Sequence, residues 1–164
     1  MHKLQEWGLT KDWWRNQRGE YWVIGQTILS VAYVLLPSVS VFSLPFAVRI
    51  SATVVLGGVA FLLGFTGLFA LGDNLTPLPH PKEEGTLITT GAYRFVRHPL
   101  YSSVIFLALA YAVWLMSITH LVGVLFLVVF FDRKAAQEEK WLTAKFPEYE
   151  EYRRSVQKLL PGIY

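Results

Sequence analysis

From Leu44 to Leu71 the chain carries a single charged residue, Arg49. A run of that length and apolarity is long enough to cross a bilayer with some tilt. Three further segments carry no charge at all: Tyr21 to Val39, Pro99 to Met116 and Leu121 to Phe131. In 164 residues these segments leave little room for anything else, and the composition agrees: 53% hydrophobic, 16% charged, mean hydropathy +0.37. Such a chain is too apolar for an ordinary soluble domain, and a bilayer is its expected solvent.

The four segments differ in how they can span. Pro37 is expected to break the first near its end. At 1.5 Å per residue the third reaches roughly 27 Å, just enough for the hydrocarbon core. The fourth is too short by itself. It spans only if its helix starts in the turn Ser117 to His120 and continues into Asp132 to Glu139, so one long helix emerging from the membrane is expected. All lysines and arginines except Arg49 lie before the first segment, between the second and third, or after the fourth. The positive-inside rule then puts both termini in the cytosol, with Arg49 able to snorkel to the far surface. The expected architecture is an all-α, multi-pass integral membrane protein with four transmembrane helices. It forms one domain over 1–164: a cytosolic segment 1–20, two spans in 21–71, a cytosolic loop 72–98, a helical hairpin 99–131 and a cytosolic segment 132–164.

The spread of basic residues, with no patch or stripe, argues against nucleic acid. With no cysteine, disulfides, thiolate chemistry and Cys-ligated metals are excluded, and no metal site is expected. The N-terminus, with Trp7, Asp12, Trp13 and Trp14, lacks the pattern of a signal peptide. Gly57, Gly58, Gly64 and Gly67, with Ala60 and Gly64 at small-xxx-small spacing, are expected to let helices approach closely. The loop Gly72 to Gly85 contains three prolines that oppose a helix, and Thr86 to Thr90 is expected to be extended before Gly91 turns the chain.

Three clusters carry chemistry. Gly91-Ala-Tyr-Arg-Phe-Val-Arg-His-Pro-Leu-Tyr101 places two arginines, a histidine and two tyrosines at the membrane boundary. Pro99 suits the first position of the third helix, so Arg97 and His98 precede a helix start whose free N–H groups favour a carboxylate. Interfacial anchoring is the plain alternative. Lys134, Glu138 and Glu139 form the second cluster, with Lys134 and Glu138 on one helix face; alone they read as a solvated ion pair. Because the third and fourth segments form a tight hairpin, both clusters emerge close together, which favours a site. Phe146-Pro-Glu-Tyr-Glu-Glu-Tyr152 is the third; Tyr149 and Tyr152 are expected to pack back onto the hairpin as structural residues.

From about Leu71 to Ile163 the chain resembles the membrane-embedded isoprenylcysteine carboxyl methyltransferase family, related to phospholipid N-methyltransferases. The resemblance lies in Leu-Gly-Asp-Asn-Leu-Thr-Pro-Leu-Pro79, Gly-Thr-Leu-Ile-Thr-Thr-Gly-Ala-Tyr93, Arg-His-Pro-Leu-Tyr101, Glu138-Glu139, and Tyr-Glu-Glu-Tyr152 followed by Leu-Leu-Pro161. It implies S-adenosyl-L-methionine bound in a cytosol-facing pocket formed by the loop before the third helix and the extension of the fourth. By position, Gly85, Thr86, Leu87, Ile88 and Tyr93 would line the adenosine part. His98, Pro99, Leu100 and Tyr101 would hold the cofactor from the third helix, and Glu138, with Glu139 beside it, would face its amino group. Lys134 matches the family's basic position near the substrate carboxylate; with Arg97 it forms the expected catalytic set. Ser103 replaces a glycine common in relatives and is expected to narrow the pocket or hydrogen-bond into it.

A substrate carboxylate is ionised at pH 7 and needs no general base, so alignment in a dry pocket would be the enzyme's task. A nearby lysine favours an anionic acceptor. The expected reaction is carboxyl O-methylation of an isoprenylcysteine-like acid, a lipophilic small molecule or prenylated substrate arriving from the bilayer. N-methylation of a phospholipid or small amine is the alternative on the same scaffold. A nicotinamide-dependent reductase and a non-enzymatic membrane scaffold are the remaining readings.

Overall fold

The computed structural model describes residues 13–164, so Trp7, Asp12 and most of the expected cytosolic segment 1–20 lie outside it. Each of the four apolar segments is a helix: α1 (Glu20–Leu35), α2 (Phe46–Leu71), α3 (Pro99–Leu115) and α4 (Ile118–Lys145), followed by a short α5 (Tyr149–Ser155). No strand occurs among the described residues; Thr90 is extended, as expected of its segment, and its carbonyl accepts from the Tyr93 N–H at 3.1 Å. By length and composition, Phe46–Asn74, which includes the turn closing α2, is apolar enough to cross a membrane, and Pro99–Leu115 is apolar but shorter. Only 17% of the most apolar window in Phe46–Asn74 is buried within the protein. A core helix would be covered on most sides, whereas Val54, Val55, Phe61, Leu62 and Phe69 all stand exposed.

The punctuation is local chemistry. α1 stops just before Pro37, and Pro45 sits at the entrance to α2, since proline tolerates a helix start and opposes its continuation. α3 closes on Met116 in the left-handed region (φ 50°), whose N–H donates to the carbonyls of Ala112 and Val113. Ser117 then caps α4, accepting from the His120 N–H. The turn is therefore shorter than Ser117 to His120, and Thr119 and His120 already belong to α4. That supplies the missing length: the helix runs 28 residues, through the apolar run and well beyond it.

Packing follows the small residues. α2 lies along α3, where Gly64 receives Ser103 and Gly67 receives Pro99; a Cβ at these glycines would meet the neighbour at 2.7 and 3.0 Å. Gly57 and Gly58 face open space, so only half of the glycine set serves helix approach. Ser103 Oγ donates to the Ala60 carbonyl at 2.7 Å. It ties α3 to α2 rather than narrowing the pocket, which corrects the expectation for this position. Between α3 and α4 the core is Ile105, Ala108, Ala112, Val124, Leu127 and Phe131, completed by Tyr33 of α1 and Leu159 of the tail.

Candidate active site

The junction into α3 sets the geometry. Pro99 takes the first helical turn with His98 as the cap residue. Just before it, Val96 forms an isolated parallel bridge with Gln157. The N–H groups of Arg97 and His98 donate to the carbonyls of Gln157 and Lys158 at 2.8 and 3.2 Å. The tail after α5 thus fixes where these two side chains begin.

Both reach Glu139. Arg97 Nε donates to Glu139 Oε1 at 2.9 Å, and its Nη1 donates to the carbonyls of Arg153 and Val156. His98 Nε2 lies 3.1 Å from the same carboxylate oxygen; a carboxylate only accepts, so this nitrogen carries the proton. Arg153 Nε stands 3.7 Å from Oε2. Burial pushes the Glu139 carboxyl up, but the hydrogen bonds and charges of His98 and Arg97 outweigh it and hold it at about 2. Glu139 is the hub of a closed clamp joining α3, α4 and α5.

Glu138 has another fate. It accepts from the Tyr101 hydroxyl at 2.7 Å, with His98 Nδ1 3.6 Å away, and it faces a cavity of ≈ 410 Å³. That volume falls within the usual range for small-molecule sites. Of the expected residues, Gly85, Thr86, Leu87 and Ile88 line the cavity from the loop, with Tyr93 beside them. Arg97, His98, Leu100 and Tyr101 line it from the start of α3, and Lys134 and Glu138 from α4. Pro99 and Glu139 are not in its wall: Pro99 packs against Gly67 and Glu139 against the clamp.

Lys134 is only 2% exposed. Its ammonium donates to Gln26 Oε1 at 2.6 Å and lies 4.8 Å from the centre of the Tyr101 ring. No carboxylate of the described residues comes within ion-pair distance of it. Burial therefore lowers it to about 8, against the opposing charge of Glu138.

The loop over the cavity is held from both sides. Asn74 Oδ1 accepts from the Thr86 N–H at 2.9 Å, and Lys145 at the end of α4 donates to the carbonyls of Lys82 and Glu83. A Cβ at Gly85 would come within 2.9 Å of Asn74 Oδ1 and 3.1 Å of the Lys82 carbonyl, so a side chain there would have to displace the amide that holds the Thr86 N–H. Tyr149 and Tyr152, expected to be structural, are also cavity wall. Tyr152 donates to the Tyr93 carbonyl at 2.6 Å, whereas the buried Tyr149 hydroxyl has no partner in the described structure. Burial pushes Tyr93, Tyr149 and Tyr152 up, so all three remain hydroxyl donors at neutral pH. Val23 and Gln26 of α1 also line the cavity. Sequence reasoning missed them; the available signal was an amide inside an apolar helix, which is costly in a membrane and needs a partner.

The α3–α4 hairpin thus carries an acid, Glu138, and a buried cation, Lys134, on one cavity wall. Residues 50–144 match the model of the isoprenylcysteine carboxyl methyltransferase (ICMT) family. The chain belongs to that family. Two rice proteins, from Oryza sativa subsp. indica and subsp. japonica, are each 40% identical to it over 88 residues, 51% of this chain and 45% of theirs. Both bear the name "Probable protein-S-isoprenylcysteine O-methyltransferase". The chain thus spans about half the length of the curated relatives it matches.

Proposed function

We propose that the chain is an S-adenosyl-L-methionine-dependent methyltransferase that O-methylates the carboxylate of a lipophilic, isoprenylcysteine-like acid. The observation that carries this reading is the charge layout of one cavity: a carboxylate, Glu138, and a buried ammonium without a carboxylate partner, Lys134, one helical turn apart on α4. A cavity built this way has a place for a cation and a place for an anion. Family membership and the relatives' names support oxygen over nitrogen as the acceptor atom.

The residues present fit the cofactor. Glu138, fixed by Tyr101, would take the amino group of the methionine moiety. Leu87, Ile88 and Tyr93 offer an apolar and aromatic wall for adenosine, and the unpartnered Tyr149 hydroxyl in the same wall has hydrogen-bonding capacity to give. When bound, S-adenosyl-L-methionine supplies a methyl group activated by its sulfonium. His98 and Arg97 would act through position, held by Glu139. Lys134 would orient the acceptor carboxylate, which attacks without losing a proton, so no general base is required.

The architecture we propose is four transmembrane helices, α1 to the apolar half of α4, with both termini and the cavity on the cytosolic side. It is supported by the distribution of basic residues and by the exposed apolar faces of α1 and α2. A route for the lipid tail follows: Leu100 and Val104 line the cavity, and Leu107 and Tyr111, exposed further along α3, continue the same stripe at helical spacing.

The test is calorimetric titration of S-adenosyl-L-methionine and S-adenosylhomocysteine into detergent-purified protein, then turnover on S-farnesyl-N-acetylcysteine against a long-chain amine. Micromolar cofactor binding and methyl ester formation on the acid alone are expected. A folded protein that binds neither compound defeats the methyltransferase reading, and methylation of the amine instead of the acid defeats the assignment of the acceptor.

A further inference from the structure

α1 lies outside the region that matches the family, yet it supplies the one direct hydrogen-bond acceptor for the Lys134 ammonium among the described residues. The contact is built by the local packing of α1. The Trp22 ring stands edge-on to Phe130, centroids 5.5 Å apart. Gly25 lies over the same ring so closely that a Cβ would meet it at 3.2 Å. Phe130 and Lys134 are one helical turn apart on α4, so the approach at Gly25 brings Gln26, the next residue, to Lys134. Val23, one turn back on α1, lines the same cavity.

An amide is the informative choice here. A carboxylate would neutralise the ammonium and leave nothing for an acceptor, and an apolar side chain would leave the buried cation with no direct hydrogen-bond acceptor among the described residues. The amide oxygen accepts one of the three N–H bonds and adds no charge. Tyr101 from α3 and Glu138 from α4 are the other groups facing this ammonium, and Glu138 is engaged by Tyr101 and His98. The cation therefore keeps both its charge and two free N–H bonds.

We propose that Gln26 is a positioning residue for the acceptor: its side-chain oxygen holds the Lys134 ammonium in the cavity wall, charged and available, and so selects an anionic group. This rests on the reading of the cavity as a methyltransferase site for an acid. It extends that site to α1, so acceptor choice depends on a helix outside the region that matches the family.

Wild type, Gln26→Met and Gln26→Glu are compared in detergent for cofactor binding, for kcat and KM on S-farnesyl-N-acetylcysteine across pH, and for the pH dependence of Lys134 acetylation by acetic anhydride. Cofactor affinity is expected to stay within about twofold in both variants. KM for the acid is expected to rise about five- to tenfold in each, on the scale of one hydrogen bond to a charged group, with kcat changed less. The alkaline limb of kcat/KM and the acetylation midpoint move together within each variant and oppositely between the two: to lower pH in Gln26→Met, which loses an acceptor for the ammonium, and to higher pH in Gln26→Glu, which adds a negative charge. A merely structural residue would not split the two variants this way. Unchanged KM and unshifted acetylation in Gln26→Met overturn the role of Gln26 while the site reading stands. A wild type that binds cofactor and leaves the acid untouched overturns that reading itself, and with it the selection ascribed to Gln26.

Discussion

The two ends of the α3–α4 hairpin both gather polar groups, and they use them differently. At the turn end nearly every one ties chain to chain. Thr119 donates to the Pro37 carbonyl, Ser40 to the Leu115 carbonyl, and Ser117 bonds both Thr119 and His120. At the other end the groups divide. Arg97, His98, Glu139 and Arg153 close on one another, while Lys134, Glu138 and the Tyr149 hydroxyl keep capacity in or beside a cavity. A polar group left with capacity in a buried place is costly, so the cavity end reads as a site and the turn end as a staple.

The sharpest form of the contrast is between neighbours, Glu139 and Glu138, and the largest effect is expected at Glu139. Glu139→Ala would leave Arg97 and His98 buried without their carboxylate, a loss of about 3–5 kcal/mol, read as a lower chemical-denaturation midpoint, and cofactor binding should fall with it. Linkage gives the same group a pH signature. Its folded value near 2 lies below the ordinary carboxylate value, so its stabilisation is complete above about pH 4.5 and is lost as pH falls toward 2. The shift corresponds to about 3 kcal/mol, and the Ala variant should lose that limb of the stability–pH curve.

Next in size is Glu138→Gln. Cofactor affinity should drop about 100-fold, the scale for removing one partner of a desolvated charge pair, while the denaturation midpoint stays near wild type. If the midpoint fell as far as in Glu139→Ala, the division into clamp and site would be broken.

The helices were legible because charge-free runs and prolines are local signals. Pro37, Pro45 and Pro99 punctuate the helices as the backbone chemistry of proline requires. The pairing of Lys134 with Glu138 on one cavity wall was legible from helical spacing. So, in principle, was the divergence of the two glutamates, since consecutive helical residues point about 100° apart. What could not be read were contacts across the chain: Gln26 with Lys134, Ser103 with Ala60, and the tail strapping Arg97. No period or spacing encodes which helix will lie against which.

Lys134→Met comes third. KM for the acid should rise about tenfold or more, with cofactor affinity preserved, because one charge-assisted contact is lost. In wild type, kcat/KM for the acid should decline as pH rises through about 8, where the ammonium loses its proton, and the Met variant should lack this limb. Stability carries the opposite sign from Glu139. A lysine whose folded value is lowered is destabilising while charged, so the protein should gain stability as pH rises from about 8 towards the unfolded value, and Lys134→Met should be neutral or stabilising at pH 7.

The smallest effect belongs to the turn end, and it tests whether the two ends are independent. His120 is 1% exposed, its Nδ1 2.8 Å from Ser117 Oγ, and its Nε2 has no partner in the described structure. The ring is packed edge-on against both Tyr33 and Tyr111. His120→Phe keeps that aromatic packing, gives up one hydrogen bond and removes one unsatisfied nitrogen. The two polar changes oppose each other, so stability should move by no more than about 1 kcal/mol. Ser117 retains Thr119 as a partner, so the turn should hold. At 1.5 Å per residue, His120 lies about 27 Å along α4 from Glu138, and cofactor affinity should stay within twofold. A tenfold loss of cofactor affinity in a variant of unchanged stability would mean that the hairpin transmits the geometry of its turn to the site, and the staple would then have to be counted as part of the site.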